Sequence, residues 1–267
     1  MLLALDIGNS NIEIGLFRMS DKPVGEALAS FRIKTRHHMT ADEFGVLVKS
    51  LVLHGDLSGE TFAAVVCSSV VPSLDEVIRE MAWKYFKLPV MFVDHRMAAG
   101  LLFQYDNPSE VGADRLVNAV AVRELYGGPA VIVDFGTATT FCALSEDEKY
   151  LGGVIAPGLA SGLETLVEKA AKLPSIDLAV PDRVLGKDTI SGMRSGIVYG
   201  AIGALEYIIE KLVEELSFSK HRVIATGGFS RLIFSESQMI DHFEPYLTLK
   251  GLEIIYYQNL ALGLGEF

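Results

Sequence analysis

Apolar and polar positions along the chain follow two periods in turn. Residues 2–6 (LLALD) are a continuous apolar run closed by a carboxylate, and residues 11–17 (NIEIGLF) alternate, so the two read as a β-hairpin. Residues 31–35 (FRIKT) give a further short strand. Residues 40–43 (TADE) match a capping box, and Phe44, Leu47, Val48 and Leu51 follow at helical spacing. Residues 62–71 (FAAVVCSSVV) have the composition of a buried strand. Residues 73–76 (SLDE) predict a second capped helix, with Leu74, Val77, Ile78 and Met81 toward the core, and residues 89–94 (PVMFVD) predict another strand. Residues 110–125 are again on pattern for a helix.

The second half repeats this order. Residues 130–136 (AVIVDFG), 139–146 (TTFCALSE) and 150–158 (YLGGVIAPG) read as three strands. Helices are expected after Gly158 and over residues 189–216, and residues 221–228 (HRVIATGG) read as a strand opening onto a helix. A meander followed by alternation, occurring twice, predicts an α/β protein of two domains related by duplication, residues 1–118 and 119–267, each a mixed sheet flanked by helices.

The repetition is sharpest at two turns. Shifting the first hairpin by 128 positions lays Asp6 on Asp134, Gly8 on Gly136, and Asn9-Ser10 on Thr137-Ala138. A strand that ends in Asp and turns through Gly presents a carboxylate and several backbone N–H groups at one point. Hydroxyl and amide side chains that follow add donors: Asn9, Ser10 and Asn11 in one case, Thr137, Thr139 and Thr140 in the other. Such a turn suits phosphate oxygens, with the carboxylate beside a hydrated cation. Alone, either is an ordinary hairpin turn; occurring twice, the pair predicts a grip on a triphosphate from two sides. A third turn, Thr226-Gly227-Gly228 after an apolar strand, would let a flat ring or a ribose lie against the backbone. Other nucleotide motifs fail. The only Gly-Lys pair, Gly186-Lys187, lacks the glycine and hydroxyl of a P-loop, and the late G-x-G at Gly263 and Gly265 has no room for a following helix.

Composition narrows the function. The 267 residues are half apolar and carry a formal net charge of −11. An acidic chain whose one basic stretch is residues 32–38 (RIKTRHH) is not expected to bind nucleic acid. A polyanionic ligand would need backbone amides and metal ions. Two cysteines, Cys67 and Cys142, predict neither a disulfide framework nor a zinc site and fit a reducing compartment. No apolar run approaches the roughly 20 residues of a membrane span, and no secretory leader is expected, so a cytoplasmic location is. His37 and His38 read as solvated, and Trp83 as packed against the fold. Gly192, Gly196, Gly200 and Gly203 mark one face of a helix, which reads either as packing within the subunit or as a dimer seam.

These residues resemble a known group. Two apolar-Asp-x-Gly turns and a late Gly-Gly turn are similar to the actin/hexokinase/Hsp70 ATPase superfamily, whose domains are ribonuclease-H-like. Within it the chain resembles type III pantothenate kinase, through DIGNSNIEIG (6–15), YDNPSEVGADR (105–115), VDFGTATT (133–140), YLGGVIAPG (150–158), AAKLP (170–174), GKDTISGMRSG (186–196) and ATGG (225–228). The resemblance implies phosphorylation of the primary hydroxyl of pantothenate by ATP, the first committed step towards coenzyme A. It implies that Asp6, Ile7, Gly8, Asn9, Ser10, Asn11, Ile12, Glu13 and Thr137 hold ATP, with Asp6 near Mg²⁺ through water. It further implies that Asp134 binds a monovalent cation (K⁺ or NH₄⁺). Tyr105, Gly112, Ala113, Asp114, Arg115 and Thr189 are implied for pantothenate, with Asp114 as general base. A homodimer is implied, Thr189 approaching the pocket from the neighbouring subunit.

On a helix drawn from residue 110, Val111, Asp114, Arg115 and Asn118 share one face, so an acid and a fixed cation project together from its start. That pairing suits a substrate with a hydroxyl at one end and a carboxylate at the other. Two other readings are a non-catalytic nucleotide-binding regulator and a kinase of a different small hydroxylated acceptor, because phosphate turns do not set the acceptor.

Overall fold

The computed structural model describes residues 1–21, 23, 26–55, 57, 59–98 and 100–263. Gly265, the second glycine of the late G-x-G, lies outside them. The elements run β1 (Leu2–Ile7), β2 (Asn11–Phe17), β3 (Ala29–Lys34), α1 (Ala41–His54), β4 (Ala64–Ser69), α2 (Pro72–Phe86), β5 (Val90–Phe92), a 3₁₀ turn (Pro108–Glu110) and α3 (Ala113–Tyr126). Then follow β6 (Ala130–Phe135), β7 (Ala138–Leu144), β8 (Tyr150–Pro157), α4 (Leu159–Lys169), α5 (Thr189–Glu215), β9 (Arg222–Thr226), α6 (Ser230–Phe234), β10 (His242–Phe243) and α7 (Leu247–Ala261).

The duplication is explicit in the topology. One sheet has the order β3-β2-β1-β4-β5 and the other β8-β7-β6-β9-β10. In both, the first three strands are antiparallel neighbours and the last two join in parallel. Even the burial repeats, residue for residue, between β1 and β6 and between β2 and β7.

Contacts divide the chain into two compact units, and neither is a continuous half. Unit 1 comprises Met1–Leu101, Asp106–Glu124 and Leu247–Phe267; unit 2 comprises Leu102–Tyr105 and Leu125–Tyr246. A cut at 118/119 would sever α3 and assign α7 to the second domain. The pattern of strands offers no sign of α7, because that helix is buried on almost every side and lacks an apolar stripe. It packs on β1, β2 and β4 of unit 1. There Leu249 lies against Gly15, and the Thr248 hydroxyl donates to Asn118 of α3 at 2.8 Å.

The opposite face of the first sheet carries Leu3, Leu5, Ile7, Ile12 and Ile14 into a core with Phe44 and Val48 of α1 and Leu74, Ile78 and Met81 of α2. Each such side chain contributes roughly 1.5–3 kcal/mol by leaving water. In unit 2 the equivalent core joins Val131, Val133 and Phe141 to Val198, Ile202 and Leu205 of α5.

Local signals fare unevenly. Thr40 caps α1 as expected, its hydroxyl accepting from the Glu43 N–H at 3.2 Å while the Glu43 carboxylate accepts from the Thr40 N–H at 2.8 Å. Ser73 caps nothing. The second helix begins at Pro72 with Val71 at its cap and no side-chain cap bond, since a proline supplies the first-turn geometry without needing a partner for an N–H. Trp83 is 63% exposed on α2 and does not pack against the fold. On α5 all four glycines of the stripe are exposed, and a Cβ on Gly196, Gly200 or Gly203 would face open space, whereas the backbone of Gly192 packs against Gly186 within the unit.

Candidate active site

The site residues fall in both units, and each set is built by its own sheet. In unit 1, β1 delivers Asp6 to the C-terminal end of the parallel β1–β4 pair. Its register partners are Glu13 on β2 and Ser68 on β4, and Glu13 in turn faces Arg32 on β3. Partners across a ladder share a face, so Ser68, Asp6, Glu13 and Arg32 form one polar row. The Glu13 carboxylate lies 3.5 Å from the Arg32 guanidinium, yet burial dominates and raises its pKa. Ser68 is fully buried, and its Oγ has no hydrogen-bond partner. Beyond this row the chain turns through Gly8, whose N–H donates to Asn11 O at 3.0 Å, and the Thr35 hydroxyl fastens the turn by donating to Gly8 O at 2.6 Å. Asn9 and Ser10 are left exposed at the tip.

The second turn is similar but one residue shorter. Gly136 N–H donates to Ala138 O at 3.1 Å, and Asp134 faces Thr140. The shift of 128 therefore holds only as far as the glycines. After them Thr140 takes the position of Glu13, 127 residues on, and Ala138 that of Asn11, correcting the pairing of Ser10 with Ala138. A length change inside a turn leaves the strands' alternation intact, so the sequences alone did not expose it. The chemical consequence is large: Asp6 sits beside a carboxylate, whereas Asp134 sits between the hydroxyl residues Thr140 and Thr226. Gly227 closes against this second turn with φ +91, and a Cβ there would come within 2.4 Å of Asp134 Oδ1. Only glycine fits that conformation and that space. Thr137 is exposed, and its carbonyl accepts from Ser161 at the start of α4 at 2.7 Å.

Residues 110–112 precede the third helix rather than open it. A 3₁₀ turn ends at Glu110, and α3 starts at Ala113, so Asp114 stands in the first turn. Arg115 N–H donates to Asp114 Oδ1 at 2.8 Å, and Gly112 leaves room for that oxygen, which would be 2.6 Å from a Cβ. Burial is the largest influence on Asp114 and raises its pKa, outweighing the N–H of Arg115 and its charge. Asp114 is half-buried by surface exposure, whereas Arg115 and Asn118 are buried, so the expected cation side of the face is largely withdrawn from solvent. Tyr105 belongs to unit 2, and Gly112, Ala113, Asp114 and Arg115 belong to unit 1. Thr189 is exposed at the first position of α5, after an Asp188 cap that accepts from Ser191 N–H at 2.9 Å.

Among the described residues no three His, Cys, Asp or Glu side chains converge to hold a metal ion. Neither cysteine forms a disulfide, and both are buried. No described helix is long and apolar enough to cross a membrane.

The type III pantothenate kinase family model matches residues 2–211. The chain belongs to that family. It is thus a kinase that uses ATP and a small-molecule acceptor, and the family's reaction is the phosphorylation of pantothenate in coenzyme A biosynthesis. The match stops short of β9, the Gly227 turn and α7. Solved structures agree on the fold. A Baf family transcriptional activator from Campylobacter jejuni, so described as putative, is similar with a TM-score of 0.60 at 18% identity over 97% of this chain and 99% of that one. The (R)-2-hydroxyglutaryl-CoA dehydratase component A of Acidaminococcus fermentans is similar at 0.55, with 13% identity over 97% and 98%. The activator of 2-hydroxyisocaproyl-CoA dehydratase from Clostridium difficile, solved with ADPNP, reaches 0.52 at 12% identity over 100% and 97%. At such identities these likenesses speak to the fold: two ribonuclease-H-like domains of the actin-like ATPase type.

Proposed function

We propose that Asp114 is the general base that takes the proton of pantothenate's primary hydroxyl as that oxygen receives the γ-phosphoryl group of ATP. The observation that carries this reading is the desolvated carboxyl of Asp114 in the first turn of α3, whose raised pKa makes it a stronger proton acceptor than an exposed aspartate. Phosphoryl transfer otherwise depends on positioning and charge neutralisation. The turn formed by Asp6, Ile7, Gly8, Asn9, Ser10, Asn11, Ile12 and Glu13 holds ATP phosphates through backbone N–H groups and the exposed Asn9 and Ser10, with Thr137 as a further contact. Tyr105, Gly112, Ala113, Arg115 and Thr189 bind pantothenate.

The donor sets fit the expected cations. Asp6 and Glu13 offer hard carboxylate oxygens in one row with the orphaned hydroxyl of Ser68. Two carboxylates with the rest of the shell left to water and phosphate suit Mg²⁺. Asp134, a single carboxylate between threonines, suits K⁺ or NH₄⁺. When bound, such cations neutralise charge on the phosphates. The exposed glycine face of α5 supports a homodimer, and two buried cysteines kept as thiols support a cytoplasmic location.

A coupled ADP-release assay with and without pantothenate and potassium tests the activity; turnover indifferent to pantothenate would leave a nucleotide-binding regulator in its place. For the base, Asp114→Asn should lower kcat by roughly 10²–10⁴-fold. A kcat within about tenfold of native at unchanged KM would remove Asp114 from that role.

A further inference from the structure

Residues 102–105 leave unit 1 to lie along the edge of the second sheet, and what they meet there gives the inference. Phe103 forms a parallel bridge with Tyr150 on β8. Tyr150 N–H donates to Leu102 O at 2.8 Å, and Gln104 N–H donates to Tyr150 O at 2.9 Å. Tyr150 is fully buried and presents its ring edge-on to Tyr105, centroids 5.9 Å apart at 75°. Phe103 flanks the same ring at 5.8 Å. The β7–β8 register slips by one residue here: Leu144 faces Tyr150, but Ala143 faces Gly152. Bulges of this kind re-aim side chains beside active sites. This one sets Gly152 at φ +128, where a Cβ would press on the Tyr105 ring at 3.3 and 3.4 Å.

We infer that Tyr150 and Gly152 are positioning residues for pantothenate binding: the β8 bulge forms an aromatic platform that fixes the ring orientation of Tyr105. The inference rests on the reading of Tyr105 as a pantothenate contact. Sequence places YLGG some 45 residues after Tyr105; only the bridge brings the two together. An aromatic side chain has two rotatable bonds, so a ring edge on one side and a bare backbone on the other suffice to hold it. A contact made equally in the ground and transition states acts on KM and leaves kcat alone.

The test compares Tyr105→Ala, Gly152→Ala, Tyr150→Leu and the double variant Tyr105→Ala/Gly152→Ala, with pantothenate and ATP varied separately. Each single variant is expected to raise KM for pantothenate about tenfold, with kcat and KM for ATP within about threefold of native. Tyr150→Phe keeps the ring edge and loses the hydroxyl that donates to Cys142 Sγ at 3.5 Å, so it should restore most of what Leu loses. The double variant should match Tyr105→Ala alone, because Gly152 acts through that ring. If Tyr105→Ala raises KM and Gly152→Ala does not, the platform is wrong while Tyr105 keeps its role. If Tyr105→Ala itself leaves KM unchanged, both fall. Should Tyr150→Leu not fold, Gly152→Ala and the double variant decide the matter.

Discussion

A carboxyl group withdrawn from water at the start of α3 has a consequence for stability as well as catalysis. Asp114 has a raised pKa in the folded chain, caused first by burial. Between the unfolded and folded pKa values the native state therefore binds more protons than the unfolded state, and stability falls as pH rises through that window. Above it the buried charge is a standing penalty. Asp114→Asn should accordingly melt at a higher temperature than native protein at neutral pH while losing turnover, and the gap should close in acid, where the native carboxyl is protonated. Thermal melts of the two proteins across pH 4–8 check this; a variant less stable at every pH would mean that the carboxylate is better satisfied than its burial indicates. The same raised pKa moves the acid limb of kcat upward, so activity grows with pH through it.

At the scale of elements, two short features can be separated by substitution. Gly227 belongs to the β9–α6 turn that leans on Asp134, and Gly227→Ala forces a side chain against Asp134 Oδ1 at a backbone angle alanine resists. Its expected effect is a weakened response to potassium and a KM for ATP raised about tenfold or more, read from potassium titrations of the ADP-release rate. A normal potassium curve would detach this turn from the cation site. The α1 capping box works elsewhere: Thr40→Ala should cost about 1 kcal/mol in urea unfolding and leave kcat unchanged, since it touches no site residue. Both elements were legible in the chain, one as a Gly-Gly after a strand and one as TADE. What could not be read was that Gly227 packs on Asp134, a contact between residues 93 positions apart.

For the whole molecule, duplication gives two sheets of one topology that now carry different chemistry. The difference lies in the row across each sheet: Glu13 beside Asp6 in one, Thr140 beside Asp134 in the other. The exposed glycines of α5 bear on assembly. Gly196 is exposed and a Cβ there faces open space, so under the proposed homodimer Gly196→Trp should lower the mass read by light scattering to that of a monomer and thereby reduce turnover. An unchanged mass would place the seam on another surface.

The chain by itself determined the hairpins, most of the helices, the two Asp-x-Gly turns and the Gly-Gly turn. These are set by local periodicity and by turn residues whose conformational needs act over a few positions. It could not determine which segments fold together. The helix α7 lacks a clear apolar stripe because it is covered on almost every side, and it returns to unit 1 from the far end of the sequence. The nine residues between Tyr105 and Asp114 do not show that ladder hydrogen bonds to Tyr150 bind the segment of Tyr105 to unit 2. The burial that raises the pKa of Asp114, and the orphaned hydroxyl of Ser68 beside Asp6, are likewise properties of packing. Residue type sets what a side chain can do; the water excluded around it and the neighbours brought from elsewhere in the chain set what it does.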